Sequence, residues 1–369
     1  MFLNAPLAGD QRVFKEARTL ADAGYEVSII CNQIPELESE IWRGIKVLSI
    51  PRRPSVLFPG RFTFDWIRKA ILLRPDIIHA HDLNTLGRAA IVSLIARAGL
   101  VYDSHDWYTQ TPAKLRLPRY RQWYYRLKER LLIKLAAAVI FPVPKLCEIA
   151  AREFGIPEPA CICNFPRGEF IPKQDLLREE LGIPEEDKIV LYEGVLAGDR
   201  GLEEIVLSAR HIDNSIRIVF IGDGYLKGRL RQLARENGLE EKVKFLDAVS
   251  VEIFPLYCAG ADAGIVIYHV EGLTTFHGWP TKVFDYLRAG LPVLIAAGPE
   301  ITDLVLSNQA GEPIADTSPR GIAREINHLF QDREKFERLS DNAVKTWREK
   351  FNWDSEAEKL LKLYRSLED

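Results

Sequence analysis

The segment with the clearest chemistry reads Pro-Thr-Lys-Val-Phe-Asp-Tyr from residue 280 to residue 286. Pro280 suits the first position of a helix, and Gly290 suits the residue after its end. Free N–H groups at a helix start attract phosphate, and Lys282 adds a full positive charge. Asp285 lies on the same face and can accept hydrogen bonds from two vicinal hydroxyls. The segment therefore predicts a site for a diphosphate and a ribose, whereas an ordinary amphipathic helix with a solvated Lys and Asp is the alternative.

Such a site needs a scaffold, and apolar strand-like runs alternate with helical periods along the whole chain. This alternation predicts parallel α/β architecture. The predicted strands cover residues 26–31, 45–50, 77–79, 101–102, 138–141, 188–192, 216–221, 243–245, 263–267 and 292–296. Two prolines and a glycine within residues 164–172 predict the joint between two domains. Apolar residues at helical spacing predict a final helix over residues 352–367.

The first strand is short. Only residues 2–4 precede the loop that leads to Asp10. Because a doubly wound domain opens with a full strand, we expect this one to lack several residues. A late start codon and a tolerated stub both agree with that expectation.

Composition restricts the class of protein. A chain of 369 residues, 47% hydrophobic and 27% charged, is typical of about two soluble globular domains. Its five cysteines form no CxxC pair, which favours reduced thiols in a cytoplasmic protein. The sequence shows neither a signal peptide at Met1 nor an apolar run of the ~18 residues that a membrane span needs.

The charge is unevenly distributed. Residues 1–172 carry 24 basic and 17 acidic side chains, a balance of +7, and residues 173–369 carry 25 and 35, a balance of −10. Segments 52–74 and 114–134 mix Lys and Arg with aromatic and aliphatic residues. This mixture favours contact with an anionic membrane surface, whereas a solvated helix whose aromatics face the core is the alternative. No nucleic-acid-binding module accompanies the basic segments, so nucleic acid is not a predicted partner.

Read together, several segments resemble the GT-B-fold glycosyltransferases of family 4. Besides the helix near residue 285, which ends in Gly-Leu-Pro-Val, they follow the family's order at residues 10–30, 76–82, 101–108, 164–167, 191–206, 219–230, 243–249 and 257–268. The resemblance covers nearly the whole chain. It implies two Rossmann-like, doubly wound parallel-sheet domains that face a cleft. Residues 1–168 would be the acceptor-side domain, with the helix of residues 352–369 packing back on it, and residues 169–351 would bind the donor.

The resemblance also implies roles for residues of the donor domain. Lys282 and Arg200 would be catalytic, because together they would hold the diphosphate leaving group. The remaining donor-binding residues would be Gly194 in a loop, Thr281 and Asp285 on the helix, and Asp247. Asp285 would bind the ribose, and Asp247 would lie beside the nucleobase. Taken alone, the glycines of residues 222–228 followed by Asp247 resemble a weak dinucleotide fingerprint.

Two departures from the family pattern concern this domain. The family often has Gly-Arg…Lys-Gly in the first loop, whereas here Val195 replaces the Arg and Arg200 takes the Lys position. The family also pairs two glutamates eight positions apart, which correspond here to His277 and Asp285. Since His277 cannot imitate a carboxylate, the role of the first glutamate is left without an obvious counterpart.

Histidines mark the predicted strand ends of the first domain. His105 follows a strand and resembles the family's His-Glu, which implies a catalytic contact to the transferred sugar; a ring bonded to a backbone carbonyl is the alternative. His79 and His81 share one face of another strand end, with Asp82 adjacent, a pattern that also suggests a metal-dependent hydrolase. Because the remaining histidines complete no recognisable ligand set, we expect no metal.

The sequence thus predicts a cytoplasmic glycosyltransferase on the inner face of the membrane. It would move a hexose-type sugar from a nucleotide diphosphate sugar to a hydroxyl of a glycan or polyprenyl-linked acceptor in cell-envelope polysaccharide or glycoconjugate synthesis. Neither a metal nor a cofactor is expected. A degenerate scaffold subunit with the same fold and an NAD-dependent oxidoreductase are the alternatives. The residues favour no particular sugar, nucleobase or stereochemical outcome.

Overall fold

A computed structural model describes residues 1–5, 10–32, 41–42, 44–50, 61–250 and 252–368. The chain forms two compact units. Unit 1 consists of Met1–Asn164, Gly272–Thr274 and Asp354–Asp369, and unit 2 consists of Phe165–Glu271 and Thr275–Trp353. Each unit is built around one mainly parallel sheet, which confirms the predicted α/β architecture.

The strands occur at the predicted places, with three short additional ones. In unit 1 they are β1 Phe2–Leu3, β2 Ser28–Asn32, β3 Ile41–Trp42, β4 Ile45–Ile50, β5 Ile77–His81, β6 Gly99–Asp103, β7 Ala138–Phe141 and β8 Ala160–Cys161. In unit 2 they are β9 Lys188–Glu193, β10 Ile216–Ile221, β11 Val243–Leu246, β12 Ala263–Ile267, β13 Val293–Ala296 and β14 Gly311–Pro313.

The helices connect successive strands, as parallel crossovers require. In chain order the helices of the described residues are α1 Gln11–Asp22, α2 Arg61–Leu72, α3 Leu83–Ala96, α4 Pro112–Leu115, α5 Arg119–Leu132, α6 Pro144–Phe154, α7 Leu176–Leu181, α8 Leu202–Ser208, α9 Lys227–Glu236, α10 Phe254–Cys258, α11 Gly272–His277, α12 Thr281–Arg288, α13 Pro299–Ser307, α14 Pro319–Gln331, α15 Arg333–Lys350 and α16 Trp353–Arg365. The predicted final helix therefore exists as α16.

The sheet of unit 1 has the order β3-β4-β2-β1-β5-β6-β7-β8, and its described pairings are parallel except that of β3 with β4. Helix α1 packs on it because Val13, Ala17 and Leu20 recur on one helical face and are buried. Asp10 caps α1, since its carboxylate accepts a hydrogen bond from the Val13 N–H at 3.1 Å. This cap fixes the start of α1 at the carboxyl ends of the strands.

The sheet of unit 2 is parallel throughout, with the order β11-β10-β9-β12-β13-β14. Its inner strands β9, β10 and β12 are almost entirely buried, as strands covered by helices on both faces must be. The strand order reverses between β9 and β12. Such a reversal opens a crevice at the carboxyl ends of the two strands, where ligands bind in doubly wound sheets.

Strand β1 lies in the middle of its sheet although it has only two residues. Phe2 pairs with Ile30 on one side and with Ala80 on the other. The Met1 amine donates a hydrogen bond to the Ser28 carbonyl at 2.7 Å, and burial lowers its pKa to about 5. A cavity of about 570 Å³, lined by Met1 and by the amino ends of β2 and β5, continues the line of β1.

We expect an extension of Met1 by three alternating Val and Ile residues to raise the unfolding midpoint by roughly 2–6 °C. The added residues would pair with β2 and β5 and bury apolar side chains in the cavity. Thermal unfolding followed by circular dichroism measures the change. A Gly-Ser extension of equal length is the control, and equal midpoints for the two extended proteins would contradict the prediction.

Candidate functional site

Helix α12 brings the predicted phosphate-binding residues to the crevice end of the unit 2 sheet. It begins at Thr281, one residue later than expected, because Pro280 is extended with ψ at 125° and forms the cap. Val283 and Phe284 are buried and anchor the helix. Thr281 is exposed at the first helical position.

Lys282 is a buried cation. Its side chain is 5% exposed, and its Nζ has no hydrogen-bond partner among the described residues. Nζ lies 3.9 Å from the ring centroid of Tyr192, at the end of β9, and 5.6 Å from that of Tyr268, which follows β12. Burial lowers the pKa of Lys282, while Tyr268 and Glu193 oppose that shift. Aromatic faces stabilise a cation without neutralising it, so the ammonium remains available to an anion.

Arg200 is the second cation of this site. It precedes helix α8 by two residues and does not begin it, because Gly201 caps the helix in the left-handed region with φ at 57°. The Arg200 guanidinium lies 5.5 Å from the centroid of Tyr268, the ring that Lys282 also approaches. Its Nη1 donates a hydrogen bond to the Val195 carbonyl at 3.0 Å, whereas its Nε is buried without a hydrogen bond.

Gly194 lies next to the end of the Lys282 side chain. Its φ of 114° favours glycine, and a Cβ built on it would lie 3.5 Å from Lys282 Nζ. Gly222, after β10, packs directly on it, since a Cβ there would lie 2.0 Å from the Gly194 carbonyl oxygen. The loop after β9 is thereby fixed beside Lys282.

Two carboxylates complete this group, and sequence reasoning assigned only one of them. Asp285 is half-buried on α12. Burial first, and then the charge of Asp285, raise the pKa of Glu193 to about 7, although Lys282 and Arg200 oppose the shift. Glu193 is the last residue of β9, so its place at a strand end directly before Gly194 was the available signal. We call Glu193, Gly194, Arg200, Lys282 and Asp285 the cation cluster.

Asp247 follows β11, two strands away from β9 in the sheet. Its carboxylate is exposed and pairs with Lys227 at 2.6 Å and with Arg231 at 3.6 Å. The structure therefore ties Asp247 to α9, and its contact with a nucleobase remains a prediction.

In unit 1, a buried ion pair organises the strand ends. Arg12 of α1 donates two hydrogen bonds to the Asp103 carboxylate, at 2.7 and 2.8 Å, and a third to the Ile162 carbonyl at 2.8 Å. Arg12 and Asp103 are 2% and 0% exposed. Because Arg12 is close, the pKa of Asp103 lies well below its usual range despite burial.

His105 lies against this ion pair. Its Nε2 is 3.2 Å from Asp103 Oδ2 and 3.0 Å from His81 Nδ1, and its backbone N–H donates to Asp82. The ring therefore faces a carboxylate rather than a backbone carbonyl. Burial alone would lower the pKa of His105, but Asp82, Asp103 and Asp10 raise it to about 10. His105 is a cation at neutral pH and is 18% exposed.

The two histidines of β5 belong to the same network. One ligand atom from each of Glu16, His79, His81 and Asp103 lies within 4.8 Å of the others, and all four side chains are buried. We expected no set of metal ligands because the other histidines in the sequence complete none. The structure instead places carboxylates from α1 and β6 beside His79 and His81. The composition suits a divalent ion, but Arg12 already supplies a cation to Asp103, and burial raises the pKa of Glu16 to about 8. Together with Arg12, these four side chains therefore carry nearly balanced charge.

Comparison with known proteins defines the class. The family described as "Glycosyl transferases group 1" matches residues 173–346, and "Glycosyltransferase Family 4" matches residues 11–165. The protein is a glycosyltransferase. The two matches together cover most of the chain, which belongs to the glycosyltransferases of group 1 and family 4. This result confirms the resemblance seen in the sequence.

Individual relatives are distant but match along the chain. An uncharacterized glycosyltransferase of Methanocaldococcus jannaschii is 22% identical over 95% of this chain and 92% of its own. The putative teichuronic acid biosynthesis glycosyltransferase TuaC of Bacillus subtilis is 23% identical over 89% of this chain and 82% of its own. The crystal structure of Anabaena HepE in complex with UDP and glucose superposes with a TM-score of 0.78 at 19% identity, covering 99% and 98% of the two chains. The GT-B fold is thereby confirmed.

We expect His105 to make stability depend on pH. Its pKa is about 10 in the folded protein against an ordinary 6.5, so the stabilisation it supplies is complete below pH 6.5 and is lost as the pH rises through 10. The His105→Gln variant should therefore unfold roughly 2–5 °C below the parent protein at pH 6 and at nearly the same temperature above pH 10. Thermal unfolding of both proteins across this range measures the difference. A difference that does not change with pH would contradict the raised pKa.

Proposed function

We propose that the protein moves a hexose-type sugar from a nucleotide diphosphate sugar to a hydroxyl group, with the cation cluster holding the diphosphate. One observation carries this proposal. Lys282 and Arg200 flank the same ring, Tyr268, and each has a buried nitrogen without a hydrogen bond among the described residues. A buried ammonium without an acceptor, such as that of Lys282, is costly unless an anion binds it. Arg200 is 22% exposed and already contacts the Val195 carbonyl and Asp199, but its Nε can still donate to such an anion. The diphosphate of a donor supplies that anion.

The chemistry that follows is leaving-group stabilisation. As the bond between the anomeric carbon and the diphosphate oxygen breaks, negative charge grows on the diphosphate. The acceptor oxygen forms the new bond, and its proton passes to a base or to the departing diphosphate. Lys282 and Arg200 stabilise the growing charge more strongly than exposed cations would, because they are fixed in a partly desolvated site. We propose that these two residues make a divalent metal unnecessary.

The other residues of the site bind rather than react. Asp285 and Glu193 offer acceptors for the vicinal hydroxyls of the ribose, and the Gly194 loop and Thr281 offer backbone or hydroxyl donors to the diphosphate. His105, a cation at neutral pH, would donate a hydrogen bond to the transferred sugar. Asp247 would lie beside the nucleobase. UDP is the nucleotide in the HepE complex, which supports a uridine donor here.

The proposed binding side for the acceptor is an exposed surface of unit 1. Helix α5 exposes Tyr120, Trp123, Tyr124, Leu127 and Leu131, which recur at helical spacing. Exposed cations flank this stripe at Arg119, Arg121, Arg126, Arg130 and Lys134. The aromatics of residues 114–134 that lie on this stripe therefore face outward and not toward a core.

The neighbouring basic segment gives a mixed result. Residues 52–60 lie outside the described part of the chain. In α2, Trp66 is fully buried, as the core alternative expects, whereas Phe64 and Leu72 are exposed. Helix α3, which packs against α2 and α5, exposes Leu94 and Ile95. We call the exposed apolar residues of α2, α3 and α5, with the cations of α5, the basic apolar surface.

We propose that the basic apolar surface lies on an anionic membrane, on its cytoplasmic face. Aromatic side chains sit at headgroup depth and cations attract anionic lipid, each contributing about 1 kcal/mol. No helix of the described residues is long and apolar enough to cross a membrane. Surface contact suits a lipid-linked or cell-envelope acceptor, and the name of TuaC, a teichuronic acid biosynthesis glycosyltransferase, supports that class.

One assay tests the proposed function. Purified protein in EDTA is incubated with UDP-, GDP- and ADP-linked hexoses, and release of the nucleoside diphosphate is measured. Release with one donor supports a metal-independent transferase. Activity that EDTA abolishes and Mg²⁺ or Mn²⁺ restores would remove the metal-independent part. A separate measurement of the unfolding temperature with each nucleotide distinguishes the alternatives. Thermal stabilisation by NAD and not by any nucleoside diphosphate would favour an oxidoreductase, and no stabilisation at all would favour a scaffold.

We expect Lys282→Ala and Arg200→Ala each to lower kcat by about 30- to 1000-fold while leaving the protein folded. Each removes a charged contact to the leaving group worth about 2–4 kcal/mol in the transition state. Asp285→Asn should instead raise the KM for the donor with a smaller change in kcat, since ribose binding is unchanged during the reaction. Steady-state kinetics measures both constants.

The control for this series is Lys345→Ala, which removes an exposed lysine of α15. It should leave kcat and KM unchanged. Near-normal kcat in both the Lys282→Ala and the Arg200→Ala variant would show that the cation cluster does not hold the leaving group.

We expect the protein to float with vesicles that contain phosphatidylserine at low salt and to release them as salt shortens the Debye length to about 8 Å and below. Replacing Arg119, Arg126 and Arg130 with Gln should weaken binding most at low salt, where the removed charges would be screened least. Replacing Trp123 and Leu131 with Ser should weaken it even at low salt, because the apolar anchors are lost.

The matched control replaces three exposed cations of α15, Arg333, Arg338 and Lys345, with Gln. Its net charge change equals that of the α5 variant, so equal loss of flotation in both would assign the effect to net charge. A parent protein that stays unbound at low salt would contradict membrane contact.

A further inference from the structure

Three cysteine thiols of unit 1 lie together at the edge of its sheet. Cys161 is the last residue of β8, Cys163 follows two residues later, and Cys147 belongs to α6. The sulfur atoms of Cys161 and Cys163 are 3.8 Å apart, and Cys147 is in hydrogen-bonding contact with Cys161. Cys147 and Cys163 are 1% and 4% exposed, whereas Cys161 is only half-buried. A small molecule in solution therefore reaches Cys161 more easily than the other two.

The surroundings of Cys161 make it the most acidic of the three thiols. Hydrogen bonds donated by Cys147 and Cys163 lower the pKa of Cys161 despite its burial. The positive charges of Lys359 and Arg12 add to this shift. The same hydrogen bonds raise the pKa of Cys147 and of Cys163, so these two remain thiols. Because the thiolate is the form that attacks an oxidant, Cys161 is the reactive member of the group.

The geometry selects Cys163 as the partner of Cys161. A disulfide requires its sulfur atoms at about 2.0 Å, so the two sulfurs must approach by about 1.8 Å from their present 3.8 Å. Strand β8 can follow this movement, because it has only two residues and is the last strand of the described sheet. It pairs with β7 alone, through Ala160 and Cys161. Closure of the disulfide therefore disturbs few backbone hydrogen bonds of the sheet.

The peptide group between Ile162 and Cys163 would lie inside the new ring. Its carbonyl accepts a hydrogen bond from Arg12 Nη1 at 2.8 Å, and its N–H donates to Glu356 Oε2 at 2.8 Å. Because a peptide group is planar, its carbonyl and its N–H move together. Ring closure changes the backbone angles on both sides of this group, so it weakens both contacts at once.

Arg12 connects this peptide group to the strand ends of unit 1. It also donates to the Asp103 carboxylate at 2.7 and 2.8 Å, and that carboxylate lies 3.2 Å from His105 Nε2. The Ile162 carbonyl holds the guanidinium from the other side. A single hydrogen bond therefore links the cysteines to the ion pair that positions Asp103.

We propose that Cys161 and Cys163 form a peroxide-sensitive pair, and that their disulfide weakens the contact of the Ile162 carbonyl with Arg12. The Cys161 thiolate attacks one oxygen of hydrogen peroxide, the O–O bond breaks, and the departing hydroxide takes up the proton that the thiol had lost. The Cys163 sulfur then attacks the Cys161 sulfenic acid. The S–S bond forms, the S–O bond breaks, and the Cys163 proton leaves with the oxygen as water. Two thiols are oxidised, and the peroxide is reduced to two molecules of water.

Peptide mapping of the parent protein after treatment with hydrogen peroxide tests the disulfide. The remaining thiols are blocked with N-ethylmaleimide in denaturant, and the protein is digested with trypsin. Cys161 and Cys163 lie in one tryptic peptide, residues 153–167, and Cys147 lies in another, residues 146–152. We expect peptide 153–167 to carry no N-ethylmaleimide and to be lighter than its unblocked reduced form by two hydrogen atoms. Dithiothreitol added before blocking should restore both adducts.

Two results of the mapping would contradict the proposal. Peptide 153–167 with both adducts after peroxide treatment overturns it. A disulfide between peptides 146–152 and 153–167 overturns the assignment of Cys163 as the partner. Cys31 and Cys258 are 0% and 1% exposed and should keep their adducts in every sample, which makes them the internal control.

Three variants test the roles of the individual thiols. Cys163→Ser cannot close the ring, so the Cys161 sulfenic acid should persist and react with dimedone. Cys161→Ser should leave Cys163 unoxidised, since Cys163 is buried. Cys147→Ala removes one hydrogen-bond donor to Cys161 and should slow disulfide formation by about 3- to 10-fold. Cys163→Ser protein without dimedone label overturns the assignment of Cys161 as the reactive thiol.

Hydrogen exchange tests the link to Arg12. The Cys163 amide should exchange about 3- to 10-fold faster in the oxidised protein than in the reduced protein, because its bond to Glu356 weakens together with the bond between the Ile162 carbonyl and Arg12. Mass spectrometry of peptic peptides, reduced after quenching, measures this rate. Cys161→Ser treated with peroxide is the control and should show no change. An unchanged rate in protein whose disulfide has been mapped overturns the link to Arg12 alone.

Discussion

A buried ammonium without a hydrogen bond among the described residues is the constraint on which the crevice end of unit 2 depends. Lys282 is 5% exposed and meets aromatic rings instead of a carboxylate. A tight ion pair would neutralise the charge, and full exposure would let water screen it. Tyr192 and Tyr268 avoid both outcomes, because their rings attract a cation more weakly than a carboxylate would. Gly194 of the neighbouring loop leaves free the space beside Nζ that a Cβ at 3.5 Å would occupy.

Unit 1 handles buried charge in the opposite way. Arg12 and Asp103 neutralise each other through two hydrogen bonds, so this pair fixes α1 to the end of β6 and leaves no free charge at its centre. The remaining negative charge of Asp103, Asp82 and Asp10 acts on His105, whose pKa it raises. The Arg12–Asp103 ion pair and the partly exposed His105 are therefore coupled. Arg12 fixes the position of the Asp103 carboxylate, and that carboxylate helps to keep His105 protonated.

Patterns that repeat along the chain could be predicted from the sequence, and contacts between distant elements could not. Ten strand runs and the final helix were visible because apolar periodicity is local. Strands β3, β8 and β14 have two or three residues each, too few to show a period. The start of α12 was misjudged by one residue, because Pro280 acts as its cap through its backbone angles.

Each residue that sequence reasoning missed acquires its role from a partner far away in the chain. The pKa of Glu193 is raised by burial and by Asp285. Glu16 of α1 lies beside His79 of β5, and the Glu300 carboxylate lies within 2.8 Å of His277 Nδ1. Read alone, His277 was a loss of the expected carboxylate. Both oxygens of the Glu300 carboxylate, 23 residues further along the chain, lie within 2.8 Å of His277 Nδ1, so a carboxylate is still present beside this position but comes from another helix, which no local pattern could reveal.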